Sequence, residues 1–179
     1  MRITILGWGS LVWNPGSLPI DGPWQGTGPV LPLEFSRVSR DGRLTLVIDR
    51  EHGDPCQTYS VLSQQVHLGD AIGDLCRREE TEESRIGFVD LESGDCRGRD
   101  DLAVKAIKAW AEAGDIDGVV WTDLEPNFEM KSGAAFSVTS AIRYIDGLPA
   151  TNRAKAIEYI ARAPANVSTP FRRAWAIDA

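Results

Sequence analysis

The sequence is poor in the residues that metal and thiol chemistry require. Two histidines, His52 and His67, and three cysteines, Cys56, Cys76 and Cys96, are scattered over 179 residues. They form no Cys-x-x-Cys pair and no histidine pair at ligand spacing, which excludes a zinc module of closely paired soft ligands and a zinc hydrolase with two placed imidazoles. The odd cysteines are expected to be free thiols in a reducing, cytoplasmic compartment. Long apolar runs are missing as well. Nothing approaches the ~20 residues of a membrane span, and the run after Met1 is too short for a secretory signal, so no membrane association is expected. Positive charge is in deficit: 19 Lys and Arg against 26 Asp and Glu leave a net charge of -7. Acids spread along the whole chain oppose binding to nucleic-acid backbones. Neither the lysine-containing phosphate loop nor Gly-x-Gly-x-x-Gly is present, and Ser10 has Trp8 and Val12 where a nucleophile elbow needs glycines.

What is present suits a single domain over residues 1–179: with 42% hydrophobic residues, such a chain buries roughly 70% of its unfolded surface. Residues 3–6 form a run rich in β-branched residues that ends at Gly7, the pattern of a buried strand entering a loop. Residues 8–28 carry Pro15, Pro19 and Pro23 with Gly16, Gly22 and Gly26, which exclude regular helix or central strand, so a mostly irregular but ordered loop pinned by Trp8, Trp13 and Trp24 is expected. Residues 33–39 and 43–49 flank Arg40-Asp41-Gly42, a hairpin turn, and residues 57–62 read as another strand. Leu68, Ile72 and Leu75 then recur at helical spacing, with Ser63 as the expected N-cap and an end near Glu80. A strand over 85–91, a charged loop over 93–101, a helix ending near Gly114 and a buried strand at Val119-Val120-Trp121 follow. Two last helices are expected over 135–144 and 152–162. Strands crowd the first half and helices the second, which predicts the α+β class.

Two positions invite chemistry. Gly7 and Gly9 bracket Trp8 directly after the first strand, so the amides of Gly9, Ser10 and Leu11 can converge on an anion. The same spacing equally permits a sharp strand exit with Trp8 packed inward. Glu79 continues the Leu68, Ile72, Leu75 stripe at a further step of four. Desolvation there raises a carboxyl from about 4.3 toward neutrality, where a general base that must return its proton works best. The alternative is a frayed surface turn in which Glu79 joins Glu80, Glu82 and Glu83, with Arg77 and Arg78 pairing to the acids in solvent. Asp123 and Glu125, just past the last strand, line either a pocket or a solvated loop. Cys76 reads as a packing thiol, and His52 and His67 as surface residues.

The order of strand, Gly7-Trp8-Gly9-Ser10-Leu11-Val12-Trp13-Asn14-Pro15, looping segment, then Phe35-Ser36-Arg37 and a hairpin resembles the γ-glutamylcyclotransferase-like family. It is closest to the ChaC-type branch. That branch opens with Tyr-Gly-Ser-Leu, a bulky residue and Trp; here Trp8 stands in the tyrosine position and Gly9 to Trp13 match. Its second signature, Leu-Asp-x-Arg-Glu, ends in the catalytic glutamate. Leu75-Cys76-Arg77-Arg78-Glu79 matches at the leucine, arginine and glutamate, with Cys76 in the aspartate position. A glycine- and tyrosine-containing stretch follows in the family, and Glu80-Thr81-Glu82-Glu83-Ser84 replaces it here. Two matches in the right order favour the functional reading of Glu79. The resemblance implies a small, partly closed mixed β-barrel flanked by helices and a small-molecule γ-glutamyl substrate. It further implies Trp8, Gly9, Ser10 and Leu11 as substrate-binding residues, Glu79 as general acid and base, release of 5-oxoproline, and no metal or cofactor. Two other functions stay open: a non-catalytic ligand-binding module on the same fold, and an interaction domain using the Trp-rich loop as its partner surface.

Overall fold

The computed structural model describes residues 1–178 and is mixed α+β, with nine strands in two sheets and seven helices among those residues. The strands are β1 (Ile3–Gly7), β2 (Ile20–Gln25), β3 (Val30–Val38), β4 (Leu44–Ile48), β5 (Asp54–Gln57), β6 (Tyr59–Ser63), β7 (Ile86–Asp90), β8 (Cys96–Arg97) and β9 (Gly118–Thr122). The helices are α1 (Ser10–Trp13), α2 (Leu68–Glu79), α3 (Asp101–Ala113), α4 (Phe128–Ser132), α5 (Val138–Asp146), α6 (Ala150–Arg162) and α7 (Pro170–Asp178). They gather into two units, one of residues 1–31 and 57–124, the other of residues 32–56 and 125 onward. No described helix is long and apolar enough to cross a membrane.

The first unit is built on a six-stranded sheet in the order β2-β6-β1-β9-β7-β8. β1 lies in its interior, parallel to β9 and antiparallel to β6. Every β1 residue is buried, so the strand reads as a continuous apolar run and not as an alternation. β2 and β8 are its edges, and neither sheet closes into a ring among the described residues. The segment over 8–28 expected to be mostly irregular also holds two short elements, α1 and the edge strand β2. Its prolines exclude a central strand but not an edge: Gly22, at φ 81, and Pro23 sit where the β2–β6 register shifts between Asp21 and Gln25. The single strand expected over 57–62 is also two strands, parted at Thr58. There the Thr58 Oγ1 and N–H both donate to the Pro29 carbonyl, at 2.6 and 3.2 Å.

α2 starts at Leu68 with His67 as its N-cap, not at Ser63. Ser63 still pairs with Ile20 in the sheet, and its Oγ accepts from the Gln65 N–H at 3.1 Å, so it closes a bend before the helix. The buried face of α2, Ala71, Ile72 and Leu75, joins Ile3, Ile5, Leu11, Val61, Ile86 and Val120 in one apolar core. Leu75 is fully buried, and truncation to alanine at such a site costs about 2–5 kcal/mol. Asp100 caps α3 by accepting from Leu102 and Ala103 amides. At the cross-strand pair Gly87–Trp121 the glycine is a packing requirement, since a Cβ there would lie 2.1 Å from the indole Cε2.

The second unit packs α4 to α7 with the three-stranded sheet β4-β3-β5. The β3–β4 hairpin turns at Gly42 with φ 82, and the Ser39 N–H donates to the Arg43 carbonyl at 2.9 Å. Phe35 of β3 meets Tyr159 of α6 and Phe171 of α7, with ring centroids 6.2 and 5.3 Å away. Glu34 is wholly buried beside them, its Oε1 accepting from Phe35 N–H at 2.7 Å and its Oε2 from Phe171 N–H at 3.0 Å. α4 and α7 were not anticipated from periodicity. α7 nonetheless carries a start signal: Pro170 is its first residue, and Thr169 Oγ1 accepts from the Arg172 N–H at 3.1 Å.

Candidate functional site

Glu79 is the last residue of α2, and the turn beneath it is pinned instead of frayed. Glu80 takes φ 48 and ψ 47, and the N–H groups of Glu80 and Thr81 return to the carbonyls of Arg77 and Cys76 at 3.4 and 3.1 Å. This is a Schellman closure, with a side chain bearing a Cβ where glycine is usual. Glu80 is the single non-glycine residue with positive φ among those described, a conformation that costs about 1–2 kcal/mol. The Glu79 side chain is only 19% exposed. Burial raises its carboxyl above the ordinary value of 4.5, while the Arg78 guanidinium, with Nη1 3.4 Å from Oε1, pulls it back down. Burial wins. At neutral pH such a group lies closer to proton exchange than a solvated carboxylate.

Arg78 is the residue that sequence reasoning missed. The alternative reading had it pairing with acids in solvent; it does reach Glu79, but its side chain is only 18% exposed and it also clamps the end of the Gly7–Pro15 segment. Nε donates to the carbonyls of Pro15 and Asn14 at 3.1 and 3.2 Å, and Nη2 to Asn14 at 2.5 Å. The clue was the proline-rich loop itself, because a segment short of amide donors leaves carbonyls that need a guanidinium. Arg77 is exposed, but its partner is the buried Asp74 and not one of the acids after Glu79.

The loop after β1 is a single helical turn. Gly9 is the N-cap of α1, Val12 N–H returns to Gly9 O at 3.0 Å, and Asn14 N–H to Ser10 O at 2.8 Å. Trp8 is 6% exposed and Leu11 5%, with the Leu11 side chain in the same core as Leu75. Leu11 therefore has its amide to offer and not its side chain, whereas Ser10 is half-buried. Gly7 is explained by close approach: a Cβ there would lie 2.9 Å from Cζ3 of the Trp24 ring. That ring brings a second overlooked group, a buried indole Nε1–H with no hydrogen-bond partner among the described residues. A buried donor without an acceptor is costly and is a natural contact for a ligand oxygen. Trp8 is buried, and Trp13 and Trp24 are half-buried.

The other candidates resolve into structural roles. Asp123 is 5% exposed and its Oδ2 accepts from the Arg99 N–H at 2.6 Å. Glu125 receives Arg37 Nη1 on its carbonyl at 2.7 Å and on Oε1 at 3.4 Å. Burial pushes the Cys76 and Cys56 thiols up, which disfavours the nucleophilic thiolate. The acids after Glu79, namely Glu80, Glu82 and Glu83, are all exposed. His67 is exposed as expected, but His52 is half-buried, with Nδ1 3.2 Å from Asp49 Oδ2. Among the described residues no group of three His, Cys, Asp or Glu side chains is arranged to hold a metal ion. Compared with known proteins, the chain matches no family model, no curated protein and no solved structure.

Proposed function

We propose that the chain is a γ-glutamylcyclotransferase-like enzyme that cleaves a γ-glutamyl amide by intramolecular amine attack. Glu79 takes a proton from the substrate α-ammonium group, the freed amine attacks the γ-carbonyl carbon, and the C–N bond to the leaving group breaks. Glu79 returns its proton to the departing amine, so the products are 5-oxoproline and a free amine, and no water is consumed. The amides of Gly9, Ser10 and Leu11 hold the substrate carboxylate, with Trp8 beside them and the Trp24 indole N–H as a further donor. Residues 1–179 act as one such domain in the reducing cytoplasm, and the mixed six-stranded sheet is the part that we assign to the family's partly closed barrel.

The observation that carries this reading is the state of Glu79: a sequestered carboxyl with a raised pKa, on a pinned helix end whose neighbour Arg78 grips the loop. Exposure of Glu80, Glu82 and Glu83 removes an objection, since acids turned into solvent repel an anionic substrate weakly. Incubation with a panel of γ-glutamyl amines and detection of 5-oxoproline tests the proposal. Glu79→Gln is expected to lower turnover by about 10²–10⁴ without altering folding, the usual contribution of a placed general base. Wild-type turnover in that variant would remove Glu79 from the mechanism. Trp8, which lacks the family's tyrosine hydroxyl, favours a binding-only module as the second reading; saturable ligand binding with no 5-oxoproline would select it.

A further inference from the structure

The second unit contains a cleft of about 500 Å³, within the size range of small-molecule sites. Ser36 of β3 lines it, and this residue is wholly buried with an Oγ that has no hydrogen-bond partner among the described residues. Buried hydroxyls are almost always satisfied, so an unpartnered one in the wall of a cavity marks a place where a ligand donates or accepts. Two other polar side chains of the cleft already hold protein partners. The Asn127 side chain is spent on Val38, accepting its N–H at 2.7 Å and donating to its carbonyl at 3.2 Å. Asp49, 4% exposed, accepts from the Glu51 and His52 amides at 3.0 and 3.1 Å.

Charge and shape narrow the ligand. Asp49, Glu51 and Glu129 give the cleft three carboxyl groups, against which His52 is the single basic lining residue. Aromatic rings line part of the remaining wall: Phe128 and Phe136 meet edge to face at 5.4 Å, and the His52 ring lies 4.9 Å from Phe136. Acids beside aromatic faces recognise an organic cation, whose ammonium group is drawn to the carboxylates while its apolar body rests on the rings. A bare metal ion fits less well, since the described residues offer no three-ligand cluster.

We infer that this cleft binds a small primary ammonium compound carrying an apolar or aromatic group, with Ser36 Oγ accepting one ammonium N–H. The site is independent of Glu79. Calorimetric titration of the full chain with 2-phenylethylamine tests it, with phenylacetate as a probe of similar shape and opposite charge. The expected result is saturable binding of the amine, phenylacetate at least about tenfold weaker, and affinity lowered about 3- to 10-fold by Ser36→Ala and by Glu129→Gln. Glu129 is exposed, so its variant reads the charge even if Ser36→Ala fails to fold. Glu79→Gln should bind the amine as wild type does, which separates this site from the proposed reaction. No saturable binding at millimolar amine would overturn the inference. Equal binding of phenylacetate, unchanged affinity in the folded variants, or loss of binding in Glu79→Gln would do the same.

Discussion

Glu34 in the second unit and Glu79 in the first are both sequestered glutamates whose carboxyls burial raises above the ordinary 4.5. Their surroundings differ. Glu34 accepts from two backbone amides and is hydrogen-bonded to the Thr169 side chain, so its oxygens are saturated in a fixed lattice of donors. Glu79 has Arg78 at 3.4 Å as its charged neighbour and keeps acceptor capacity free. A raised pKa therefore does not by itself mark a proton carrier. Saturation distinguishes the carboxyl that holds structure from the one able to exchange a proton with a substrate.

Removing the saturated acceptor is expected to have the largest effect on the fold. Glu34→Ala leaves the Phe35 and Phe171 amides buried without partners, which costs about 2–6 kcal/mol at 1–3 per group; urea unfolding measures it. A loss under 1 kcal/mol would break the contrast between the two glutamates. Cutting the clamp comes next. Arg78→Met releases the Asn14 and Pro15 carbonyls, and a displaced loop is expected to lower kcat/KM by about 10- to 100-fold. Because Arg78 holds the Glu79 pKa down, the same variant should move the acid limb of the pH–rate profile upward. A limb that stays in place would mean that another group sets it.

The pH dependence of stability sharpens the comparison further. A carboxyl whose folded pKa is raised binds its proton more tightly in the native chain than in the unfolded one. Its contribution is therefore greatest below the ordinary 4.5 and is lost as pH rises through the raised value. Glu79→Gln removes that contribution, so the unfolding free energy of the wild type should fall relative to the variant above pH 4.5. The smallest expected effect lies at the helix end. Glu80→Gly relieves the left-handed strain at φ 48 and should stabilise the fold by about 0.5–1 kcal/mol with turnover unchanged, as thermal melts and a rate assay would show.

Much of this arrangement was readable in the sequence. The Leu68, Ile72, Leu75, Glu79 stripe placed the carboxyl on the inner side of α2, and the alternating hairpin around Gly42 set β3 against β4. Edge strand β2 escaped because proline and glycine speak against regular structure, while a bulged edge tolerates both. Arg78 and the Trp24 indole escaped for a different reason. Arg78 reaches Asn14 across 64 positions and Trp24 packs against Gly7 from beyond an intervening helical turn, and no local periodicity encodes such contacts. The Ser36 cleft was hidden in the same way, built from segments near 36, 49 and 127 that sequence distance separates.

The most direct test compares Glu79→Gln with Glu34→Gln on one γ-glutamyl amine, scoring 5-oxoproline release per folded molecule together with urea unfolding. The account predicts that Glu79→Gln loses about 10²–10⁴ in turnover with stability nearly intact, and that Glu34→Gln loses stability while its folded fraction turns over normally. Equal turnover in Glu79→Gln and wild type, or a loss of turnover shared by both variants, would contradict it.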